Sequence, residues 1–405
     1  MNIANKKIIL GLTGGIACYK IAELIRLLTQ GGALVHVVMT ENATRFITPM
    51  TMQALSGNPV YTQLWDENGK QHMPHIHLTR DADALLIAPC SAHFIAKLAH
   101  GLCDDLLSNI CIARPKTLPF FIAPAMNVEM WENPTTQRNI TTVLHDGISI
   151  LGPNQGIQAC GEEGLGRMLE PNELLDHLES VFHKKILQGK RILITAGPTY
   201  EPIDPIRGIT NLSSGKMGFA IAKAAQQAGA IVELVSGPTH LPTPYGVTRT
   251  NVQTAQQMHD QVMLRIGSQN IFISVAAVAD WRVIHSHEHK IKKTTHTEPQ
   301  LQLTKNPDIL ATVAALPHRP YCVGFAAESE NLLQHGEEKR VRKNLPLLVG
   351  NIGPHTFGAE ENELILFDEY GHTTLPRANK NTLAEQLIKE IVKRFNPAPT
   401  NTPNF

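Results

Sequence analysis

One local pattern governs what this chain can fold into: a short apolar run that ends in glycine and passes at once into a stretch of helical periodicity. Lys7–Leu12 reads as a buried strand, Thr13-Gly14-Gly15 as a tight turn, and Ile21, Leu24, Ile25 and Leu28 recur at helical spacing within Ile16–Gln30. Gly31-Gly32 stops that helix, and Leu34–Met39 reads as the next strand. The motif returns at Ala84–Ala88, followed by a Pro-Cys-Ser turn and the helical run Ala92–Leu98. Phe120–Ala123 is a further short strand. Such alternation predicts a doubly wound parallel sheet, with ligands at the carboxyl ends of its strands.

The rhythm restarts at Lys190. Arg191–Thr195, Ile231–Val235 and Ile271–Val275 predict strands, Ser214–Ala228 a helix, and Tyr200–Asn211 a proline-rich loop. Between the two runs, Ile148–Arg167 carries glycine at 152, 156, 161, 164 and 166 and reads as a long flexible loop with room for a hairpin. Pro171–Lys185 reads as an amphipathic helix that closes the first half. At roughly 100–200 residues per domain, a chain of this length holds two or three. The expected organisation is two α/β, Rossmann-like domains, 1–188 and 189–396, with 397–405 a disordered tail.

Composition excludes more than it selects. Lys+Arg and Asp+Glu each total 36, and this balance argues against a nucleic-acid surface or an anionic membrane as partner. The six cysteines form no Cys-x-x-Cys pair, which argues against structural zinc and against a disulfide scaffold. The first apolar run is broken by Gly11, so it is neither a signal peptide nor a span, and no later stretch is long enough to cross a bilayer. A soluble, cytoplasmic protein is expected.

Single residues are ambiguous. Gly14-Gly15 serves equally as a strand–helix turn or as a phosphate cradle at a helix N-terminus. Ser91 fits a helix cap. His75 and His77 are read on a strand, where a lone histidine such as His75 is more often structural than catalytic. Asn127 fits a turn. Cys160 sits in the glycine-rich loop, where a thiol is more accessible than in a core. In the second half, Asn211–Gly218 holds small and polar residues before a helix, a composition suited to oxyanions. Lys290, Lys292 and Lys293 read equally as a solvated basic face, and Lys339 and Lys343 as a surface i, i+4 pair.

Taken together, the segments are far more specific than any one of them. Gly14–Lys20, Val38-Met39-Thr40, His75-Ile76-x-Leu78, Ala88–Ala92, Pro124-x-Met126-Asn127-x-x-Met130-Trp131 and Ala159-Cys160-Gly161 with Gly166-Arg167-Met168 resemble the flavin-containing cysteine decarboxylases. Thr195–Thr199, Asn211–Gly218, Ala276–Asp280, Lys290-Ile291-Lys292, Lys305–Asp308 and Gly324–Glu328 resemble phosphopantothenate–cysteine ligase. Over nearly its whole length the chain is therefore similar to the bifunctional coenzyme A biosynthesis proteins. The resemblance implies a flavodoxin-like, FMN-dependent decarboxylase of 4′-phosphopantothenoylcysteine, joined to a CTP- and Mg²⁺-dependent ligase that makes that compound from 4′-phosphopantothenate and L-cysteine. It implies FMN binding at Gly14, Gly15, Thr40 and Ser91, His75 as a base, Asn127 on the substrate carboxylate and Cys160 as a proton donor. In the ligase it implies Asn211 on the acyl-cytidylate, Lys290 assisting its formation, and Arg207 on phosphopantothenate. CTP would meet Ser274, Val275, Ala276, Asp280, Pro307, Asp308, Ile309, Leu310, Phe325, Lys339 and Lys343. The family also suggests a homododecamer, with trimers of flavin domains and dimers of ligase domains.

The chain departs from the family at Pro74, where Gly is usual, at His77 for Glu, at Cys90 for Ala or Thr, and at Leu345–Asn351, where Pro346 replaces a carboxylate and an amide donor. Three rivals remain. An NAD-dependent oxidoreductase would need a GxGxxG turn, which follows neither first strand. A regulatory flavoprotein without catalysis would be expected to lack one of His75, Asn127 and Cys160. A peptidyl-cysteine decarboxylase would leave the second half unexplained.

Overall fold

The computed structural model describes residues 3–64, 73–291, 300–328, 331–352 and 361–396; the expected tail 397–405 and the lysines at 292 and 293 lie outside them. The chain divides into two compact units, Met1–His183 and Lys184–Phe405. The break precedes Gln188 because the intervening residues are tied to the second unit. Lys185 Nζ donates to the Gln227 carbonyl at 2.9 Å, and Leu187 N to Ala228 O at 2.8 Å.

In the first unit the elements run β1 (Lys7–Leu12), α1 (Cys18–Gln30), β2 (Leu34–Met39), α2 (Glu41–Thr44), α3 (Pro49–Ser56), α4 (Pro74–Arg80), β3 (Ala84–Cys90), α5 (Ala92–His100) and α6 (Leu106–Ala113). They continue as β4 (Phe120–Pro124), α7 (Val128–Glu132), α8 (Pro134–His145), β5 (Ser149–Ile150), β6 (Asn154–Ile157), β7 (Glu163–Arg167) and α9 (Pro171–Phe182). Five parallel strands form the sheet β2-β1-β3-β4-β5, the flavodoxin-like order, whose direction reverses between β1 and β3. Both faces are covered, so β3 is buried at every position and reads as a continuous apolar run rather than an alternation. Ile8, Leu10 and Leu12 pack with α1 and α9, and Ile9, Leu85 and Ile87 with α5, α6 and α8.

Two expectations change here. His75 and His77 lie on helix α4, not on a strand: Pro74 takes its first turn, where a missing N–H is harmless and the ring's fixed φ favours a helix. The glycine-rich stretch is held as an antiparallel hairpin, β6–β7, rather than a free loop. Its base is anchored by Asn154 Nδ2 on Glu173 Oε2 at 2.9 Å, and beyond it Lys20 Nζ meets Glu170 Oε1 at 2.8 Å.

The second unit runs β8 (Arg191–Ala196), β9 (Tyr200–Pro202), β10 (Gly208–Thr210), α10 (Lys216–Gln227), β11 (Ile231–Ser236), β12 (Val247–Asn251), α11 (Ala255–Arg265), β13 (Ile271–Ser274), β14 (Trp281–Val283) and β15 (Leu303–Lys305). It closes with α12 (Ile309–Ala314), β16 (Tyr321–Glu328), α13 (Leu332–Arg342), β17 (Leu347–Ile352), β18 (Glu361–Asp368), β19 (Gly371–Asn379) and α14 (Lys380–Phe395). Its sheet is β12-β11-β8-β13-β16-β17-β18-β19, parallel as far as β17 and antiparallel beyond. The six parallel strands follow the Rossmann order, third-second-first-fourth-fifth-sixth, and reverse between β8 and β13. Helices α10 and α14 fill one face, and α11, α12 and α13 the other. The proline-rich stretch 200–211 is a small hairpin, β9–β10, because the Asp204 carboxylate accepts the Ile206 and Arg207 N–H groups and closes its turn. Among the described residues, no helix is long and apolar enough to cross a membrane.

Candidate functional site

At the first reversal point the ends of β1 and β3 are tied by one hydroxyl. Thr13 Oγ1 donates to the Pro89 carbonyl at 2.7 Å and accepts the Ser91 N–H at 2.9 Å. This side chain, buried and passed over in the sequence, brings Gly14-Gly15 beside Ser91. Thr40 joins them from β2, its N–H on Leu12 O at 3.0 Å. Thr40 and Ser91 each cap a helix, accepting from Ala43 N and Phe94 N. Helix α1 is different: its cap position is Ala17, with no side-chain acceptor; the Cys18, Tyr19 and Lys20 N–H groups turn back on the Gly15, Ile16 and Ala17 carbonyls, and the positive end of the helix dipole lies at this turn. Gly14 is drawn in tightly there, since a Cβ on it would stand 2.7 Å from Asn42 Cβ. An uncapped helix end among hydroxyls fits the phosphate of a flavin. His75 Nδ1 is buried without a hydrogen-bond partner among the described residues, an open valence that also fits a bound ligand.

Asn127 follows β4 and caps α7, its Oδ1 accepting Met130 N at 2.9 Å. The hairpin docks on the same segment. Met126 N donates to Gly166 O at 3.0 Å, and Val128 N to Gln158 Oε1 at 3.0 Å. Gly166 is required for that approach: its φ is +138°, and a Cβ would lie 2.3 Å from Met126 O. Docking brings the hairpin tip to Asn127, where Glu162 Oε2 accepts from Asn127 Nδ2 at 2.8 Å and lies 3.5 Å from Cys160 Sγ. Asn127 and Cys160 therefore share one cluster; the His75 side chain makes no hydrogen bond to either. Cys18, Cys90 and Cys111 are buried, and burial pushes their thiols up, Cys18 to about 11, so they stay protonated and inert. Cys160 is exposed.

The second unit holds a cleft of about 910 Å³ at its own reversal point. Helix α10 starts at Lys216 behind Gly215, without a side-chain cap and two residues after the Ser214 start expected from sequence, and residues of the Asn211–Gly218 string form one wall. The turn after β13 forms another, and Asn306 pins the 306–308 turn to it: its N–H donates to Asp280 O at 2.9 Å and its Nδ2 to Ala279 O at 2.7 Å. Asn211 reaches across, Nδ2 donating to Ala277 O at 2.9 Å. Ser274, Val275, Ala276, Asp280, Pro307, Asp308, Ile309, Leu310, Phe325, Lys339 and Lys343 all line this one cleft. So do Lys216, Lys305 and Asn351, which the quoted segments contain without a role, and Asn362 and Lys380, which no segment marked. Five lysines against Asp280 and Asp308 give the cleft a cationic bias suited to a polyphosphate. Burial acts to raise the Asp308 carboxyl, but Lys343 at 2.7 Å and the Ala311 N–H hold it below the usual range.

Arg207 and Lys290 lie outside that lining; Arg207 instead meets Ile291, the residue after Lys290, around Asp204. Asp204 Oδ2 accepts from Arg207 Nε at 3.1 Å and Ile291 N at 3.2 Å, while Arg207 Nη2 donates to Ile291 O at 2.9 Å. Asp204 thus fixes both the predicted arginine and the residue after the predicted lysine. No sequence signal marked it, because an aspartate in a Pro-rich turn is ordinary by composition.

Two anion-receptive reversal points in one chain define a two-site α/β enzyme. Residues 1–183 match the Flavoprotein family, and residues 187–395 match the DNA/pantothenate metabolism flavoprotein C-terminal domain. The chain is 50% identical over 395 residues to the coenzyme A biosynthesis bifunctional protein CoaBC of Vibrio cholerae, covering 96% of this chain and 98% of that one. It is 48% identical over 402 residues to CoaBC of Escherichia coli K12, covering 98% of each. It is 40% identical over 395 residues to CoaBC of Bacillus subtilis, covering 96% and 97%. The chain belongs to this family of bifunctional enzymes, which carry a decarboxylase and a ligase step of coenzyme A biosynthesis.

Two outcomes follow from the geometry. Thr13→Val strands the part-buried Ser91 N–H and leaves the Pro89 carbonyl only the Thr13 N–H at 3.2 Å, so it should cost about 1–3 kcal/mol of stability and lower flavin retention on gel filtration, read by absorbance. Burial acts to raise the Asp204 carboxyl, but three backbone N–H groups and Arg207 outweigh it and bring the carboxyl down to about 2 from 3.8. A depressed carboxylate stabilises above its unfolded pKa and loses that contribution as pH falls toward the folded value. The stability gap between wild type and Asp204→Asn in urea titrations should therefore narrow as pH falls from about 4 to about 2.

Proposed function

We propose that the second unit joins 4′-phosphopantothenate to L-cysteine at the expense of CTP, and that the first unit uses FMN to decarboxylate the product to 4′-phosphopantetheine. The observation that carries the ligase reading is the cleft itself: one reversal point gathers Asn211, the Ser274–Asp280 turn, Pro307–Leu310 and five lysines around a polyphosphate-sized space. In this reading Lys339 and Lys343 neutralise phosphate charge, Phe325 and the 274–276 turn seat the nucleotide, and Asn211 steadies the acyl-cytidylate. The carboxylate of phosphopantothenate attacks the α-phosphate, pyrophosphate leaves, and the cysteine amine then displaces CMP. Lys290 offsets charge as the acyl-cytidylate forms, and Arg207, held by Asp204, takes the substrate's phosphate. Among the described residues no group of three or more His, Cys, Asp or Glu could hold a metal. Mg²⁺ carried on the triphosphate needs at most one or two carboxylates; Asp280 and Asp308 are both exposed in the cleft, and Asp308 is the one paired with Lys343 at 2.7 Å.

In the first unit, Gly14, Gly15, Thr40 and Ser91 would hold the FMN phosphate. Bound FMN would supply the reversible two-electron chemistry that makes the substrate carboxylate ready to leave as CO₂. His75 takes a proton from the substrate, its unpartnered Nδ1 being free to do so. Asn127 presents Nδ2 to the carboxylate, because its Oδ1 is committed to Met130 N. Cys160 returns a proton from the hairpin. Assembly as a homododecamer in the cytoplasm belongs to the same reading, with exposed apolar residues such as Ile16, Tyr19 and Leu212 available to subunit contacts.

Incubation with 4′-phosphopantothenate, cysteine, CTP and Mg²⁺ should yield 4′-phosphopantetheine and CMP by mass spectrometry, from a protein with a flavin spectrum. His75→Asn and Cys160→Ala should each stop the reaction at phosphopantothenoylcysteine with FMN retained; wild-type turnover in either removes that residue's role. Lys290→Gln should slow acyl-cytidylate formation at least about tenfold, and unchanged CMP release would contradict its assignment.

A further inference from the structure

The cluster at the hairpin tip contains a group that the proposed chemistry does not use. Asn127 spends its carbonyl oxygen on the Met130 N–H, which fixes the amide plane and leaves Nδ2 as its outward donor. That donor is met by a carboxylate of the chain itself, Glu162 Oε2 at 2.8 Å. The same oxygen lies 3.5 Å from Cys160 Sγ. The hairpin turn sets up this arrangement. Gly161 N donates to Gln158 O at 2.9 Å, Gln158 N to Glu162 O at 2.8 Å, and Gly161 takes φ +87°, so Cys160 and Glu162 come to the same amide. Gln158 holds the tip in place, accepting Val128 N and donating to Leu165 O at 3.1 Å.

We propose that Glu162 is an internal stand-in for the substrate's carboxylate: it occupies Asn127 Nδ2 in the free enzyme and must be displaced when substrate binds. This rests on the reading of Asn127 as the group that holds that carboxylate. The Asn127 amide carries two N–H groups, of which Glu162 holds one, and two like-charged carboxylates crowded on one amide repel, so a second cannot bind there at full strength while Glu162 stays. An intramolecular competitor lowers apparent affinity by the fraction of enzyme in which the donor is free. The penalty falls only on ligands that use this donor, so it discriminates by the carboxylate alone. Displacement has a second consequence. Glu162 leaves Cys160 as it leaves Asn127, so the thiol keeps only its longer contact to Gln158 Oε1 at 3.8 Å and loses its carboxylate partner when the substrate's carboxylate arrives. Glu162 is therefore a specificity-determining residue that couples substrate arrival to release of the proton donor.

The test uses the FMN-loaded full-length enzyme and two ligands differing in one group. Phosphopantothenoylcysteine has the carboxylate, whereas 4′-phosphopantetheine lacks it and acts as product inhibitor. Glu162→Gln replaces a charge-assisted bond by a weaker neutral one. The KM for phosphopantothenoylcysteine should fall by about three- to tenfold, while the inhibition constant of 4′-phosphopantetheine stays within about twofold. Glu163→Gln, one residue on and outside the cluster, should leave the ratio of the two constants at the wild-type value. A ratio unchanged in Glu162→Gln, or a raised KM, overturns the proposal and makes Glu162 a prop of the hairpin or a substrate contact. Failure of the Asn127 reading is distinguishable: Asn127→Asp would then shift both constants equally, instead of raising the KM alone.

Discussion

Both sites depend on the point where the order of a parallel sheet reverses. Neighbouring strands there send their helices to opposite faces, and a crevice opens outside their carboxyl ends. In the first unit this lies between β1 and β3, and in the second between β8 and β13. Each crevice is entered by a helix whose cap residue offers no side-chain acceptor, α1 behind Ala17 and α10 behind Gly215. A positive dipole end is thus aimed at the same place by topology alone. The two crevices differ in what surrounds that end. Hydroxyls of Thr40 and Ser91 suit one phosphate, and five lysines suit several.

Carboxylates do the fine positioning in both halves. Asp204 is buried and collects donors from its own turn, from Arg207 and from Ile291, so two segments about 85 residues apart are held in one geometry. Asp308 similarly bridges the start of α12 and Lys343. Glu162 differs in meeting only the Asn127 amide and the Cys160 thiol, on a hairpin docked through backbone contacts. A carboxylate engaged by a cation and by backbone N–H groups is a fixed strut, whereas one held by a single amide is exchangeable. That contrast is why the first two read as scaffolding and the third as a competitor for substrate.

Sequence periodicity placed β1 and β2 at the residues where they occur, and most other strands within one or two residues of their ends, because a doubly covered parallel strand is an uninterrupted apolar run. It failed where short-range geometry competes. Met73–Arg80 mixes apolar and polar residues at no clear period, and Pro74 decides for helix. Residues 200–211 look like a loop by their prolines, but hydrogen bonds to Asp204 fold them into a hairpin. Most residues lining the second unit's cleft could be named from motifs, yet Asn362 and Lys380 could not, since each is a common residue at the end of an ordinary element.

By itself, the sequence determined the two α/β halves, their family and the residue types that carry the chemistry, since these rest on local pattern and on motifs contiguous in the chain. Only the tertiary structure decided which of those residues meet. It gathered Ser274–Asp280, Pro307–Leu310 and Lys343 around one cleft while setting Arg207 and Ile291 on Asp204. It also turned Glu162 toward Asn127. The physical reason is that hydrogen bonds and ion pairs between distant segments depend on crossover topology and side-chain direction, which no window of neighbouring residues contains.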